Sequence, residues 1–106
     1  MADFNNVTFT GRLTKNPELR YLVDGTAITR FSIAVNGWKD GDVTFINCVA
    51  FKKTAEVAGE YCKKGKQVLV NGSLKVSSFE GDDGAKKTKH EVIVNNLQLL
   101  GGKAGE

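Results

Sequence analysis

Four aromatic residues lie where their rings could bind a flat ligand instead of filling a core. The alternation of apolar and polar residues along the predicted strands places Trp38, Phe45, Phe51 and Phe79 away from the predicted core face. An exposed ring offers a π surface on which nucleobases stack. The alternatives are burial in the core, as for most aromatic residues, or packing of Phe45 and Phe51 against another subunit.

Basic residues lie near these rings in the sequence. Exposed rings combined with positive charge are typical of proteins that bind single-stranded nucleic acid without sequence preference. The first candidates for phosphate contacts are Lys53, Lys64 and Lys75, followed by Arg12, Arg20 and Arg30. For any single lysine, a solvated surface charge is an equally good interpretation. Together these residues predict binding that weakens as salt rises, because contacts to phosphates release counterions.

Length and composition indicate one small folded domain. The chain has 106 residues, of which 41% are hydrophobic and 25% charged, as in soluble globular proteins. The net charge of +3 and the pI of about 8.9 are compatible with an anionic partner but indicate little alone. No signal-peptide pattern or membrane-length apolar run occurs, so we expect a cytoplasmic protein without membrane contact.

Catalysis and metal binding have little support in the sequence. Cys48 and Cys62 form no CxxC motif, and His90 cannot complete a zinc site with them, so we expect two buried free thiols. Asp82 and Asp83 could serve a metal-dependent nuclease, but they lie in a glycine-flanked turn without a third carboxylate. We therefore expect no catalytic residues, no metal and no cofactor.

Most of the predicted elements are strands. Alternating apolar residues predict five strands, over residues 6–13, 26–36 and 43–51, from residue 68 onwards, and over residues 88–100. In the fourth of these, the inward residues are Val68, Val70, Leu74 and Val76. A tight hairpin is expected at Asp24-Gly25 and a long mobile loop at residues 80–87. Gly72 lies inside a strand and predicts a bulge or bend.

A single helix is predicted over residues 53–64. Thr54 is its expected N-cap and Gly65 its expected C-cap. Its expected buried face consists of Val57, Ala58, Tyr61 and Cys62. The elements follow in the order of three strands, one helix and two strands, without a regular alternation of strands and helices. This order predicts an all-β OB-fold, a five-stranded Greek-key barrel with the helix between strands three and four.

Two strands have features that suit contacts outside the monomer. The strand at 43–51 is apolar on both faces, so stacked bases or a partner subunit must cover its outer face. The strand at 6–13 is the candidate for edge pairing with its copy in a second subunit, and the alternative is a strand that is only internal.

The chain resembles the bacterial single-stranded DNA-binding protein family over residues 6–101. The most specific marker is the segment AEVAGEYCKKG at 55–65, and residues 6–7, 11–13, 16–21, 67–68, 71–74 and 99–102 also match. The resemblance implies an OB-fold domain at 1–101 that binds single-stranded DNA with little sequence preference and has no catalytic activity. It also implies a homo-oligomer, typically a tetramer with a dimer left open, and base stacking at Trp38, Phe45, Phe51 and Phe79.

The chain departs from the family pattern in three places. Positions 45 and 79 hold Phe where many relatives have Trp, so somewhat weaker stacking is expected. Ile46 stands where many relatives have an interface histidine, which bears on the strength of the tetramer. Residues 102–106 are expected to form a short disordered tail without the acidic tip that recruits repair and replication proteins. A naturally short paralogue and a chain that ends at its domain boundary both fit this pattern.

The resemblance implies a nucleoid-associated protein that protects single-stranded DNA in replication, recombination, repair or DNA uptake. The principal alternative is a primosome-type OB-fold accessory protein that acts mainly through protein partners. Such a protein would tolerate alanine at Phe45, Phe51 and Phe79, whereas a dedicated strand binder would not. The sequence leaves the pathway, the site size and RNA binding open.

Overall fold

The computed structural model describes residues 2–101, so the predicted tail at 102–106 lies outside the described residues. The elements are β1 (Val7–Leu13), β2 (Glu18–Tyr21), β3 (Ala27–Asn36), β4 (Val43–Phe51), α1 (Lys52–Tyr61), β5 (Gln67–Glu80) and β6 (Lys86–Leu99). The prediction of an all-β OB-fold with one helix is confirmed, but the count of five strands was one too low. The additional strand, β2, has four residues and forms a hairpin with β3.

All six strands belong to one sheet, in the order β1-β5-β6-β4-β3-β2. Neighbouring strands are antiparallel except β4 and β6, which pair in parallel over only three residues, Cys48–Ala50 with Val92–Val94. Arg12 and Leu13 at the end of β1 also pair with β3, so the sheet closes into a ring. Within the described residues, positions 7–11 of β1 have β5 on one side and no strand on the other.

The core lies inside this ring and beneath α1. Its fully buried side chains include Ile33, Val68, Val70 and Val92. The one buried polar residue among positions 2–101 is Thr29, whose hydroxyl donates a hydrogen bond to the carbonyl oxygen of Ala55 at 2.6 Å. Burial of a hydroxyl is tolerated when it is hydrogen-bonded in this way, and the bond ties β3 to α1.

Both cysteines are buried and free, as predicted. Burial raises the pKa of Cys48 to about 12, because removing water disfavours the charged thiolate. Burial also raises the pKa of Cys62, partly offset by the charge of Lys66. Both thiols are therefore neutral members of the core.

The β5–β6 pair contains the predicted bulge at Gly72. Asn71 lies opposite Asn96 and Gly72 lies opposite Val94, so one residue of β6 has no opposite partner. A Cβ atom at position 72 would overlap the carbonyl oxygen of Ile93. Only glycine allows the two strands to approach this closely.

Beyond the bulge, β5 and β6 extend as a hairpin whose inward residues are only partly covered. Leu74 and Val76 keep the predicted alternation with Val68 and Val70, but both are exposed. The predicted long loop at 80–87 is instead a tight turn between Glu80 and Lys86. Gly84, at φ +82°, donates its N–H to the carbonyl oxygen of Gly81 at 2.9 Å.

The helix is shorter than predicted and has different caps. It begins at Lys52 and ends at Tyr61. The chain enters α1 directly from β4, so Phe51 is the N-cap and Thr54 lies inside the helix. Cys62 rather than Gly65 is the C-cap.

The predicted buried face of α1 is confirmed in part: Ala58 is buried, as is Cys62 at the C-cap, whereas Tyr61 is not. The buried residues within α1 are Ala55 and Ala58, and Gly59 lies close to Leu19 of β2. Small residues permit this close packing of the helix against the sheet. Tyr61 lies outside the contact and is exposed. Within residues 2–101, no helix is long and apolar enough to cross a membrane.

Candidate nucleic-acid interface

Strand pairing brings three of the four predicted rings to one face of the sheet. Residues directly opposite each other on paired strands point to the same side, as do residues two apart on one strand. Phe45 and Phe51 therefore share a side with Val49 of β4. Val49 and Ser73 of β5 pair with the same residue of β6, from its two sides, so Ser73 points to this side as well. Phe79 lies six residues beyond Ser73 on β5 and points to that side too. We call this side the ring face.

All four rings are accessible to solvent. Their exposed fractions are 37% for Phe51, 49% for Phe79, 68% for Phe45 and 104% for Trp38. Trp38 lies in the loop between β3 and β4, whose ends are joined by the N–H of Gly37 and the carbonyl of Asp42 at 2.6 Å. These exposures exclude the core as the environment of the rings. Val49, between two of the rings, is buried.

A cleft opens between Phe45 and Phe79. It forms because β4 and β6 pair only at Cys48–Ala50, so their preceding segments diverge. The cleft has a volume of about 360 Å³ and is also lined by Phe9, Ile46, Asn47, Leu74, Lys89, His90 and Val92. His90, for which the sequence predicted no role, therefore lies at this cleft. A cleft of mixed apolar and polar lining that is flanked by two exposed rings is a suitable surface for flat aromatic ligands.

Four of the predicted cations share the ring face. Arg12 is in register with Phe45 across Ala34 of β3, and its guanidinium donates a hydrogen bond to the carbonyl oxygen of Gly65 at 3.1 Å. Arg20 is in register with Phe51 across β3. Arg30 is in register with Val49. Lys75 lies four residues before Phe79 on β5, so the two side chains point to the same side. Positive charge therefore lies along the same surface as the exposed rings. Arg20 also forms an ion pair with Glu18 at 3.1 Å, and an exposed pair of this kind contributes little to stability.

The other two predicted cations, Lys53 and Lys64, lie elsewhere. Lys53 is exposed in the first turn of α1. Lys64 follows α1, where its backbone N–H donates to the side chain of Asn16 at 2.8 Å. The structure does not bring these residues onto the ring face.

Two further lysines on the ring face were missed by the sequence analysis. Lys87 is directly opposite Phe79, and Lys89 is directly opposite Ser77. Lys89 also forms an ion pair with Glu91 at 3.5 Å. The signal in the sequence was the basic run at 86–89, but the face that it occupies depends on the register of the β5–β6 hairpin.

The described residues offer no alternative metal chemistry at this surface. Within positions 2–101, no group of three or more His, Cys, Asp or Glu side chains is placed to hold a metal ion. The Asp83 carboxylate accepts a hydrogen bond from the N–H of Ala85 at 3.0 Å. This aspartate therefore stabilises the hairpin turn, an ordinary function of Asp at such positions.

Comparison with known proteins identifies close relatives. A sequence model described as the single-strand binding protein family matches residues 4–100. A single-stranded DNA-binding protein of Borreliella burgdorferi is 45% identical over 94% of this chain and 72% of its own length. Proteins of the same name from Clostridium perfringens and Treponema pallidum are 41% and 42% identical, over 91% and 99% of this chain. The chain spans 65% and 62% of the lengths of these two relatives.

Proposed function

The chain belongs to the single-strand binding protein family, and on that premise we propose that it binds single-stranded DNA without sequence specificity. The observation that carries this proposal is the ring face, on which Phe45, Phe51 and Phe79 lie among basic residues. Relatives that carry the name single-stranded DNA-binding protein support the identity of the ligand. The proposed activity is binding alone, without a catalytic step, metal or cofactor.

Base stacking supplies the first part of the proposed mechanism. Bases stack on Phe45, Phe51 and Phe79, and Trp38 clamps a further base from its loop. Stacking on an aromatic side chain contributes about 1–3 kcal/mol per base, and every base has a π face. The mechanism therefore explains binding that tolerates any sequence.

Phosphate contacts supply the second part. The cations of the ring face bind the backbone nearest the rings, and they are Arg12, Arg20, Arg30, Lys75, Lys87 and Lys89. Lys53 and Lys64 then extend the basic path away from this face. Each phosphate that the protein neutralises on a single strand changes the slope of log K against log salt by about 0.7. Binding should therefore be strongly dependent on salt.

We also propose that the protein is a homo-oligomer, a tetramer or a dimer, assembled in part through β1. Residues 7–11 leave one edge of β1 unpaired within the described chain, and their sequence VTFTG carries no charge. An uncharged free edge is suited to pairing with the same strand of a second copy. The proposed assembly covers this edge.

The proposed cellular role is protection of single-stranded DNA at the nucleoid in the cytoplasm, during replication, recombination, repair or DNA uptake. Family membership supports this role. Base stacking and phosphate contacts occupy the groups that enzymes attack in an unprotected strand. The role depends on strong preference for single strands over duplex, in which the base faces are already stacked.

The test is fluorescence-anisotropy binding of a labelled thymidine oligomer and of the matching duplex across a salt series. We expect tight binding of the single strand that weakens with salt, and weak binding of the duplex. Equal affinity for both, or no affinity for either, would contradict the proposal and favour a protein that acts through protein partners. Alanine at Phe45, Phe51 and Phe79 then separates these functions, because only a strand binder loses activity.

A further inference from the structure

A second cleft lies next to Phe51, on the side of the sheet that faces α1. It opens between the β2–β3 hairpin and the start of α1, and its volume is about 250 Å³. Its lining includes Tyr21, Thr26, Lys52, Lys53 and Glu56. Phe51 immediately precedes the two lysines in the chain, so the cleft adjoins one end of the ring face.

Tyr21 presents an exposed ring to this cleft. It is opposite Ala27 on β3 and shares a side of β2 with Leu19, which packs against Gly59 of α1. The ring therefore lies on the helix side of the sheet, opposite to the ring face. Its exposed fraction is 61%, so packing in the monomer does not account for its presence.

Lys52 has an unusual backbone conformation beside the same cleft. Its φ of +58° makes it the only non-glycine residue with positive φ in the described part of the chain. Side chains other than glycine disfavour this region because Cβ crowds the backbone. Where such a conformation persists, the surrounding structure holds it in place, as is common at binding sites.

The charge of the cleft favours an anion. Lys52 and Lys53 face one acidic lining residue, Glu56. The nearby carboxylate of Asp24 is engaged in the hairpin turn, where it accepts the N–H of Thr26 at 2.9 Å. Hydrogen bonds from Thr26 lower the pKa of Asp24, with a smaller contribution from the charge of Lys52. The lining of the cleft thus combines an exposed ring with two lysines and one glutamate.

We propose that this cleft binds one further nucleotide of the strand held on the ring face, with its base on Tyr21 and its phosphates near Lys52 and Lys53. The proposal rests on the proposed function. The volume is below the roughly 300–1,000 Å³ of pockets for drug-sized ligands, which suits a single nucleotide. The bound strand therefore passes Phe51, turns over the edge of the sheet and continues on the helix side.

The test measures affinity for thymidine oligomers of increasing length, across the range of about 4–16 nucleotides that OB-folds cover. For the shortest oligomers, which the ring face alone accommodates, Tyr21→Ala should bind as tightly as the unmodified protein. Once the oligomer is long enough to reach the cleft, Tyr21→Ala should lose roughly tenfold in affinity. Tyr21→Phe keeps the ring and should restore the affinity.

A second variant tests the cation without endangering the fold. Lys52→Gly suits the positive φ, so it should fold at least as stably as the unmodified protein. If Lys52 contacts one phosphate, the salt slope for long oligomers should fall by about 0.7 in this variant. Tyr61→Ala is the control for Tyr21→Ala, because Tyr61 is 59% exposed and does not line the cleft.

The outcomes separate the two proposals. If the unmodified protein binds single strands but Tyr21→Ala and Lys52→Gly match it at every length, the cleft has no role and the proposed function stands. A loss of affinity at all lengths in Tyr21→Ala and Tyr61→Ala alike would also overturn the cleft, because it would show a general disturbance. If the unmodified protein binds no oligomer, both the proposed function and the cleft are wrong.

Discussion

Single side chains carry the proposed binding, and Phe79 gives the clearest test among them. It is half-exposed on the β5–β6 hairpin and lies opposite Lys87. Phe79→Ala should weaken binding of thymidine oligomers by about 1–3 kcal/mol, because one stacking surface is lost. Phe79→Trp should strengthen binding, because the larger ring offers more contact area. Titrations by fluorescence anisotropy measure both changes.

The hairpin provides a matched control for this prediction. Val76 is also half-exposed, but it points to the opposite side of β5. Val76→Ala should leave the affinity unchanged. An equal loss in Val76→Ala and Phe79→Ala would show that the hairpin as a whole had been disturbed, and would count against stacking on Phe79.

The buried cysteines allow a chemical test of the core. The thiolate is the reactive form of cysteine, and burial raises the pKa of Cys48 to about 12. At pH 8 the native protein should therefore react very slowly with a thiol reagent such as dithionitrobenzoate, and raising the pH to 9 should change this little. In urea both thiols regain an ordinary pKa and should react quickly, faster at pH 9 than at pH 8. Rapid labelling of the native protein would contradict the burial of Cys48 and Cys62.

Among the elements, the β5–β6 pair depends most on one residue. A Cβ atom at position 72 would overlap the backbone carbonyl of Ile93, and a backbone atom cannot move aside as a flexible side chain can. Gly72→Ala should therefore destabilise the protein by about 3 kcal/mol or more, at or above the upper range for overpacking. Urea unfolding followed by circular dichroism measures this loss.

Gly41→Ala is the control for the bulge. Gly41 has a φ of +83° and open space around its Cβ position. Alanine there suffers only the cost of positive φ, about 1–2 kcal/mol. If both variants lose the same stability, the close approach of β5 and β6 at Gly72 is not required by the fold.

Elements whose pattern is local were predicted well from the sequence. The predicted strand at 43–51 matches β4, and the strands at 6–13 and 26–36 each begin one residue before β1 and β3. The alternation that defines a half-buried strand is visible in its own residues. The segment of β2 showed a short alternation at Leu19, Tyr21 and Val23 before the predicted hairpin at Asp24-Gly25, but it was not counted as a strand. Four residues with one partly buried member are too few to define a strand by themselves, and pairing with β3 completes it.

Features that depend on residues distant in sequence could not be predicted in the same way. The helix ends differ because α1 starts directly from β4, which its own capping residues do not reveal. The four rings were nominated from alternation and resemblance, and the structure shows all four exposed. Lys87 and Lys89 were missed because their face is set by hairpin register. The cleft at Tyr21 also escaped notice, because it joins β2 and α1 across 30 residues of sequence.

The fold as a whole leaves one edge of its closed sheet incomplete. Arg12 and Leu13 close the ring by pairing with β3, whereas residues 7–11 of β1 pair only with β5 among the described strands. Natural proteins protect such edges with charged residues, bulges, proline or a covering element. Residues 7–11 carry neither charge nor proline, so the proposed covering by a second copy would explain how this edge avoids uncontrolled association.

A charge placed on this edge should therefore disrupt the proposed oligomer. Thr10 is exposed on β1 opposite Leu69 of β5, so Thr10→Lys should leave the fold intact, with an unchanged circular dichroism spectrum. Lysine on an edge strand opposes pairing because its charge would be desolvated against the partner. The mass measured by light scattering after gel filtration should then fall towards that of a smaller assembly.

Thr44→Lys, an equally polar change at an exposed position of β4, should keep the original mass. Equal masses for both variants and the unmodified protein would show that β1 is not the contact between copies.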